Sequence, residues 1–379
     1  MKKSLRLLAA ALALTAPALA WAQGAPVKIA AIVELSGTGA TSGTNFKDGM
    51  TLAFKEINAA GGILGRKVDL VVNDTQTNPG VAKALAQKAI DDGAYVVMGP
   101  VFSGSIIVSM EETKRAEIPN FTGGEAATIT QRGNPYIFRT SFTQSLAMPK
   151  LASYIKNNLN AKTVDIVWIN NDFGKGGKDE MIKALTAQGI KVGADISTDP
   201  GQIDYSSAVL KVKQSPAEAV FVYLNEEESA RALRELRKQG VTKPILGETT
   251  LTSQKVIELA GDAANGAVGH VGLTADAPQP GIKAYDEKFQ KEFKYKSDHN
   301  GLKGYIAAYT VKAVTEKVGK FDQKAFAAAM KNVSLSAKDH PGILLDIRYD
   351  DKGDLDRDGF LVEVKNGKQV VIATLPPAR

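Results

Sequence analysis

Two patterns in this sequence copy the opening of a known chemical site, and each lacks the residue that would complete it. Gly37-Thr-Gly39-Ala-Thr-Ser-Gly43 follows an apolar run and precedes a helical stretch, as a dinucleotide-binding turn does. That turn requires G-x-G-x-x-G, with a separate steric task for each glycine, yet position 42 is serine and the third glycine comes one residue late. Asp354-Leu-Asp356-Arg-Asp358-Gly359 repeats the first half of a calcium loop, but position twelve is Lys365, where a bidentate glutamate is needed. A charged turn between two strands explains it better. His270, His299 and His340 lie far apart in the chain, in neither a nucleophile-elbow nor an H-E-x-x-H context. Cysteine is absent, which removes disulfides, thiolate nucleophiles, cysteine zinc ligands and a lipidated N-terminal cysteine together. The residues therefore predict no enzyme, no cofactor and no metal. A dinucleotide-dependent oxidoreductase is the strongest enzymatic alternative.

The elements that would position any site follow one repeated grammar: a β-branched apolar run, an amphipathic helix, a glycine, and another apolar run. This predicts right-handed βαβ units and parallel sheets. The first unit runs from the strand Val27 to Leu35, through a helix with Phe46, Met50, Phe54 and Ile57 on one face, to the strand Val68 to Val72. Asn78-Pro79 opens the next helix with a capping side chain and a proline at the first helical position. Gly93 closes it before Tyr95 to Met98. The grammar restarts with Val164 to Ile169, a helix with Met181, Ile182 and Leu185 inward, Gly189, and Ile190 to Ile196. A third unit runs from Asp204 to Ala219–Leu224, Leu233, Leu236, Gly240 and Pro244–Gly247. Helices are expected over 145–158, 282–293, 302–318 and 321–330, before a β-rich tail from Ile343. Glycine suits each helix end because the residue after the last turn takes a left-handed backbone. The restart of the pattern predicts two α/β lobes.

At the N-terminus, Lys2, Lys3 and Arg6 precede the apolar run Leu7 to Ala20 and an A-x-A site at Ala20-Trp21-Ala22. This predicts a cleaved signal peptide over residues 1–22 and a periplasmic location, with the mature chain starting at Gln23. The run is shorter than the ~20 residues of a membrane span. The formal charge of +6 loses three units with Lys2, Lys3 and Arg6. The remainder is too small and too evenly spread to argue for nucleic acid.

Several blocks resemble the periplasmic solute-binding proteins of the leucine/isoleucine/valine-binding type, the type I fold of ABC transporter substrate-binding components. They are Ala59-Ala-Gly-Gly-Ile-Leu-Gly65, Thr130-Gln-Arg-Gly-Asn-Pro-Tyr-Ile-Phe-Arg-Thr140, Asp172-Phe-Gly174, Asp204-Tyr-Ser206, Gly261-Asp-Ala-Ala-Asn-Gly266 and Tyr349-Asp-Asp-Lys-Gly-Asp354. The resemblance implies two Rossmann-like lobes with parallel sheets joined by a three-crossing hinge. Residues 27–142 with 272–360 would form the N-terminal lobe, and 143–271 with 361–379 the C-terminal lobe. It also implies a monomer that captures an amino acid or related small polar solute between the lobes and presents it to an ABC permease in the inner membrane. A ligand-sensing domain that partners a receptor is the other non-enzymatic alternative.

The resemblance further places ligand contacts on loops at the carboxyl ends of strands: Phe102, Ser103, Gly123, Gly124, Glu125, Phe173, Glu226 and Glu248. Ser103 falls on the family's carboxylate-binding serine, and Glu125 falls about where the family has a threonine. Physically, Ser103 at a helix start suits an anion, because its hydroxyl and the helix N-terminal N–H groups converge; its other reading is an ordinary N-cap. Phe173 is either a lid on the ligand or a core anchor. With Glu227, the three glutamates bring up to four carboxylates to the cleft. They require a cationic or donor-rich ligand, a protein cation, or solvent, because a buried unpaired carboxylate costs several kcal/mol.

Overall fold

The computed structural model describes residues 24–378. The signal-peptide reading falls on residues 1–22, outside the described residues. The first sheet contains β1 (Val27–Val33), β2 (Val68–Asp74), β3 (Val96–Met98), β4 (Asn120–Thr122) and β5 (Ile137–Arg139). Its order is β2-β1-β3-β4-β5, and every pairing is parallel. Helices α1 (Ala40–Ala59), α2 (Pro79–Asp91) and α3 (Ser103–Arg115) make the crossovers. Phe46, Met50, Phe54 and Ile57 are all buried on α1, as their spacing predicts. Asn78 caps α2 by accepting from the N–H groups of Gly80 and Val81.

Helix α4 (Gln144–Tyr154) leads into the second sheet, built from β6 (Thr163–Ile169), β7 (Lys191–Thr198), β8 (Ala219–Tyr223), β9 (Ile245–Glu248) and β10 (Val268–Val271). Helices α5 (Asp172–Ala187), α6 (Ser206–Gln214), α7 (Glu226–Lys238) and α8 (Gln254–Ala260) connect these strands. Gly93, Gly189 and Gly240, which end α2, α5 and α7, have φ of 73°, 74° and 73°, the left-handed backbone expected of them. Met181 and Leu185 are buried on α5, but Ile182 is only half-buried at its edge.

The chain then returns to the first lobe as α9 (Pro280–Phe293), α10 (His299–Val318) and α11 (Gln323–Met330). Their buried residues join those of α1, β1 and β3 in one hydrophobic core. A small antiparallel sheet of β11 (Ser334–Leu335), β12 (Ile347–Tyr349) and β13 (Leu355–Asp356) follows. Last come β14 (Gly359–Lys365) and β15 (Lys368–Leu375), which extend the second sheet antiparallel beside β10. Two further cores pack on the faces of that second sheet. Among the described residues no helix is long and apolar enough to cross a membrane.

The two incomplete motifs have structural uses. A Cβ on Gly43 would lie 1.9 Å from the Glu34 carbonyl oxygen, so this glycine lets α1 pack against the end of β1. Gly174 does the same for α5 on β6, where a Cβ would lie 1.8 Å from the Ile169 carbonyl oxygen. Asp354 turns inward to Arg139, with Oδ1 accepting from Nε at 2.8 Å and from the Thr130 hydroxyl at 2.8 Å.

Candidate functional site

Parallel α/β sheets open a crevice where the strand order reverses, outside the carboxyl ends of the strands. In the first sheet that point lies between β1 and β3, and in the second between β6 and β8. The two crevices face each other. Together they enclose a cavity of about 260 Å³, lined by Ser42, Phe102 and Ser103 from one side and Phe173, Asn225 and Glu226 from the other. Seven of the eight residues expected from the sequence line it: Phe102, Ser103, Gly123, Gly124, Glu125, Phe173 and Glu226. Glu248 does not; it lies buried behind Glu125.

Ser103 is the first residue of α3, and Phe102 occupies the cap position without a side-chain cap bond. The Ser103 hydroxyl instead accepts from the Ala126 N–H at 3.3 Å, which leaves its own proton to donate. The preceding loop is fixed by the buried Glu34 carboxylate, which accepts from the N–H groups of Val101 at 3.0 Å and Phe102 at 3.1 Å. Ser103, Gly104 and Ser105 all line the cavity, and the first N–H groups of a helix have no partner inside it. This corner therefore offers an anion a hydroxyl and the positive end of a helix.

Acidic groups line the remaining walls. Glu226, at the start of α7, is 2% exposed and accepts from the Ser42 hydroxyl at 2.9 Å. Burial, with Asp298 and Glu227 nearby, pushes its carboxyl up to about 8. Glu125 meets a protein cation: Lys303 Nζ, from α10, lies 3.2 Å from its Oε1 and 3.3 Å from the Gly123 carbonyl. Burial and the adjacent Glu248 still push Glu125 up to about 8, because Lys303 only partly offsets them. Glu248 is raised too, by burial. Its Oε1 lies 3.0 Å from His270 Nδ1, and burial holds His270 down at about 3, so the imidazole is neutral.

Phe173 lies at the boundary between cavity and core. It lines the cavity, and its ring stacks on Tyr223 at 4.2 Å between centroids. Sequence reasoning missed Ser42, Tyr223, His299, Asn300 and Lys303. The expected helix began at Leu302, whereas Asp298 caps α10 by accepting from the N–H groups of Asn300 and Gly301. The extra turn carries His299 and Asn300 into the cavity wall, beside Lys303 one turn further on. An aspartate before a helical run is a start signal that could have revealed it.

The sequence profile described as "Periplasmic binding protein" matches residues 26–369, nearly the whole described chain. The chain belongs to the periplasmic binding protein family. This periplasmic binding protein is 28% identical over 351 residues to the Leu/Ile/Val-binding protein BraC3 of Rhizobium johnstonii, covering 92% of this chain and 94% of that one. Among solved structures it is similar to the branched-chain amino acid transporter substrate-binding protein LivJ of Streptococcus pneumoniae in complex with isoleucine. That likeness has a TM-score of 0.84 at 22% identity, over 93% of this chain and 99% of LivJ. It is equally similar to an ABC transporter solute-binding protein of R. palustris in complex with 4-hydroxybenzoate, with a TM-score of 0.84 at 22% identity over 93% and 98% of the two chains. The fold is thus the two-lobed α/β architecture of that family.

Proposed function

We propose that this periplasmic binding protein captures an amino acid or a related small polar solute between its lobes and delivers it to an ABC permease in the inner membrane. It does so as a periplasmic monomer, without chemistry on the solute. The lobes are residues 27–142 with 272–360 and residues 143–271 with 361–379, and they close as rigid bodies about the three crossings. A solute that touches both walls favours the closed form by its differential affinity for it. The names of BraC3 and of the isoleucine-bound LivJ support this class of solute.

The observation that carries the reading is the opposition of two unlike walls across one small cavity. On one wall, Ser103 and the start of α3 complement an anionic group. Opposite, the buried Glu226, bonded to the Ser42 hydroxyl and to its own backbone N–H, complements an ammonium or another donor. A zwitterion satisfies both. Phe102 and Phe173 supply apolar surface between them.

A thermal-shift screen of amino acids, amides, polyamines and aromatic acids tests this. A solute at a hundred times its dissociation constant adds about 2.7 kcal/mol to stability, because it binds only the folded state. Absence of a shift with every solute, together with turnover of one of them, overturns the reading.

A further inference from the structure

The base of the cleft holds more acid than its bases can balance. Glu125, from the loop after β4, and Glu248, at the end of β9, come from opposite lobes and lie within hydrogen-bonding reach of each other. The groups around them come from five elements. Lys303 approaches Glu125 from α10, and Tyr223 from β8 puts its hydroxyl 3.4 Å from Glu125 Oε2. Gln144 of α4 donates to that hydroxyl at 2.9 Å. His270 of β10 and the Thr249 N–H following β9 satisfy Glu248, the latter at 2.6 Å. Asn300 and Asp298, at the start of α10, flank Lys303.

Lys303 is one positive charge, enough for one carboxylate. His270 adds none: its Nε2 is buried without a hydrogen-bond partner, so an imidazolium here would strand an N–H in apolar surroundings beside Phe142. Two carboxylates brought together with a single cation repel, and a proton shared between them removes the repulsion. Opening would separate the two carboxylates and leave Glu125 with Lys303 and Glu248 with His270 and the Thr249 N–H, so the shared proton is needed only on closure.

We propose that cleft closure takes up one proton from bulk water, held between Glu125 of one lobe and Glu248 of the other, so that solute capture is proton-coupled. The proposal rests on the capture reading above and adds a second, chemically distinct participant to it. The raised affinity of Glu125 for a proton, with its midpoint near 8, agrees in direction. Because the acid binds its proton more tightly in the closed form, closure is favoured as pH falls. Between the ordinary carboxyl range of about 4.3 and the closed-state midpoint, the closed-to-open ratio rises up to about tenfold for each pH unit removed, and above that midpoint it levels off.

The natural chain has no cysteine, so two introduced cysteines can carry a specific dye pair. Ala84→Cys on α2 and Ala187→Cys on α5 place one exposed label on each lobe. Energy transfer is read from about pH 5 to 9, without solute and with isoleucine or 4-hydroxybenzoate, in a Glu226→Gln background, which silences the other cross-lobe acid raised to about 8, and in that background with Glu125→Gln or Glu248→Gln added. The expected result is a closed population that grows as pH falls and loses this dependence in both variants, each of which replaces a titrating acid by a neutral amide. Two distances whose balance ignores pH, or a pH dependence that survives both substitutions, overturn the proton link while leaving capture standing. A single distance at every pH, with a variant-insensitive signal and no response to any solute in the thermal screen, removes the capture reading itself and the proton link with it.

Discussion

Ser42 and Glu226 join the two lobes across the mouth of the cavity, the serine hydroxyl on the first turn of α1 donating at 2.9 Å to the carboxyl on the first turn of α7. Thr41 repeats the contact one residue earlier, donating to Glu227 at 3.2 Å. These bonds exist only when the helices face each other, so they belong to the closed form. A hydrogen bond to a carboxyl that is neutral near pH 7, as the raised Glu226 is, contributes about 0.5–1.5 kcal/mol net. Ser42→Ala is therefore expected to weaken solute binding by up to about tenfold, measured by titration calorimetry. Unchanged affinity would show that the contact does not contribute to closure.

Ser103→Ala removes a cavity-lining hydroxyl whose oxygen is tied to the Ala126 N–H and whose proton is free to donate. The helix N-terminus remains, so binding weakens without vanishing. A loss of about tenfold is expected for solutes with a carboxylate, and much less for the matching amides, since a charged partner gains more from the donor. Equal losses for acid and amide would move the anionic group to another wall.

Glu226→Gln separates stability from binding. The carboxyl of Glu226 is raised to about 8 in the folded protein, above the ordinary carboxyl range. A raised acid binds more protons folded than unfolded, so its contribution is intact below about pH 4.3 and falls by up to about 1.4 kcal/mol per pH unit as pH rises toward the folded midpoint. The glutamine variant lacks this penalty. Its unliganded melting temperature should match the natural chain near pH 5 and exceed it increasingly toward pH 8, while affinity for ammonium-bearing solutes falls. A variant less stable at pH 8 would contradict the uncompensated burial of this group.

Arg139 is fully buried and holds the loop that carries Glu125. Its guanidinium donates to Asp354 at 2.8 Å, to the Gly124 carbonyl at 2.7 Å, to the Ala126 carbonyl at 3.1 Å and to the Thr130 hydroxyl at 3.0 Å. Arg139→Met leaves the Asp354 carboxylate without its cation, while the Gly124 and Ala126 carbonyls keep the Ser141 hydroxyl and the Ile129 N–H. Breaking a buried pair in this way costs about 3–5 kcal/mol, to be read from urea denaturation. The double variant Arg139→Met with Asp354→Leu should recover part of that loss, because no charge is then left unpaired.

The repeated strand–helix–glycine grammar made most elements legible, because burial imposes a period on the residues that make them: Phe46, Met50, Phe54 and Ile57 on α1, or Met181 and Leu185 on α5. Boundaries set by capping were less clear. The first turn of α10 was missed because its residues, His299, Asn300 and Gly301, carry no hydrophobic period, although all three are buried.

The sequence alone determined the βαβ order, the positions of the strand-end loops and the resemblance that singled out Ser103, Glu125 and Glu226, since local periodicity and turn chemistry are written in neighbouring residues. Only the tertiary structure decided what those side chains meet. Lys303 is 178 residues from Glu125 and Glu226 is 184 from Ser42, and no local pattern records such pairs. They exist because two sheets turn their reversal points toward each other, and the low-polarity space between them forces each buried charge to find a partner or a proton.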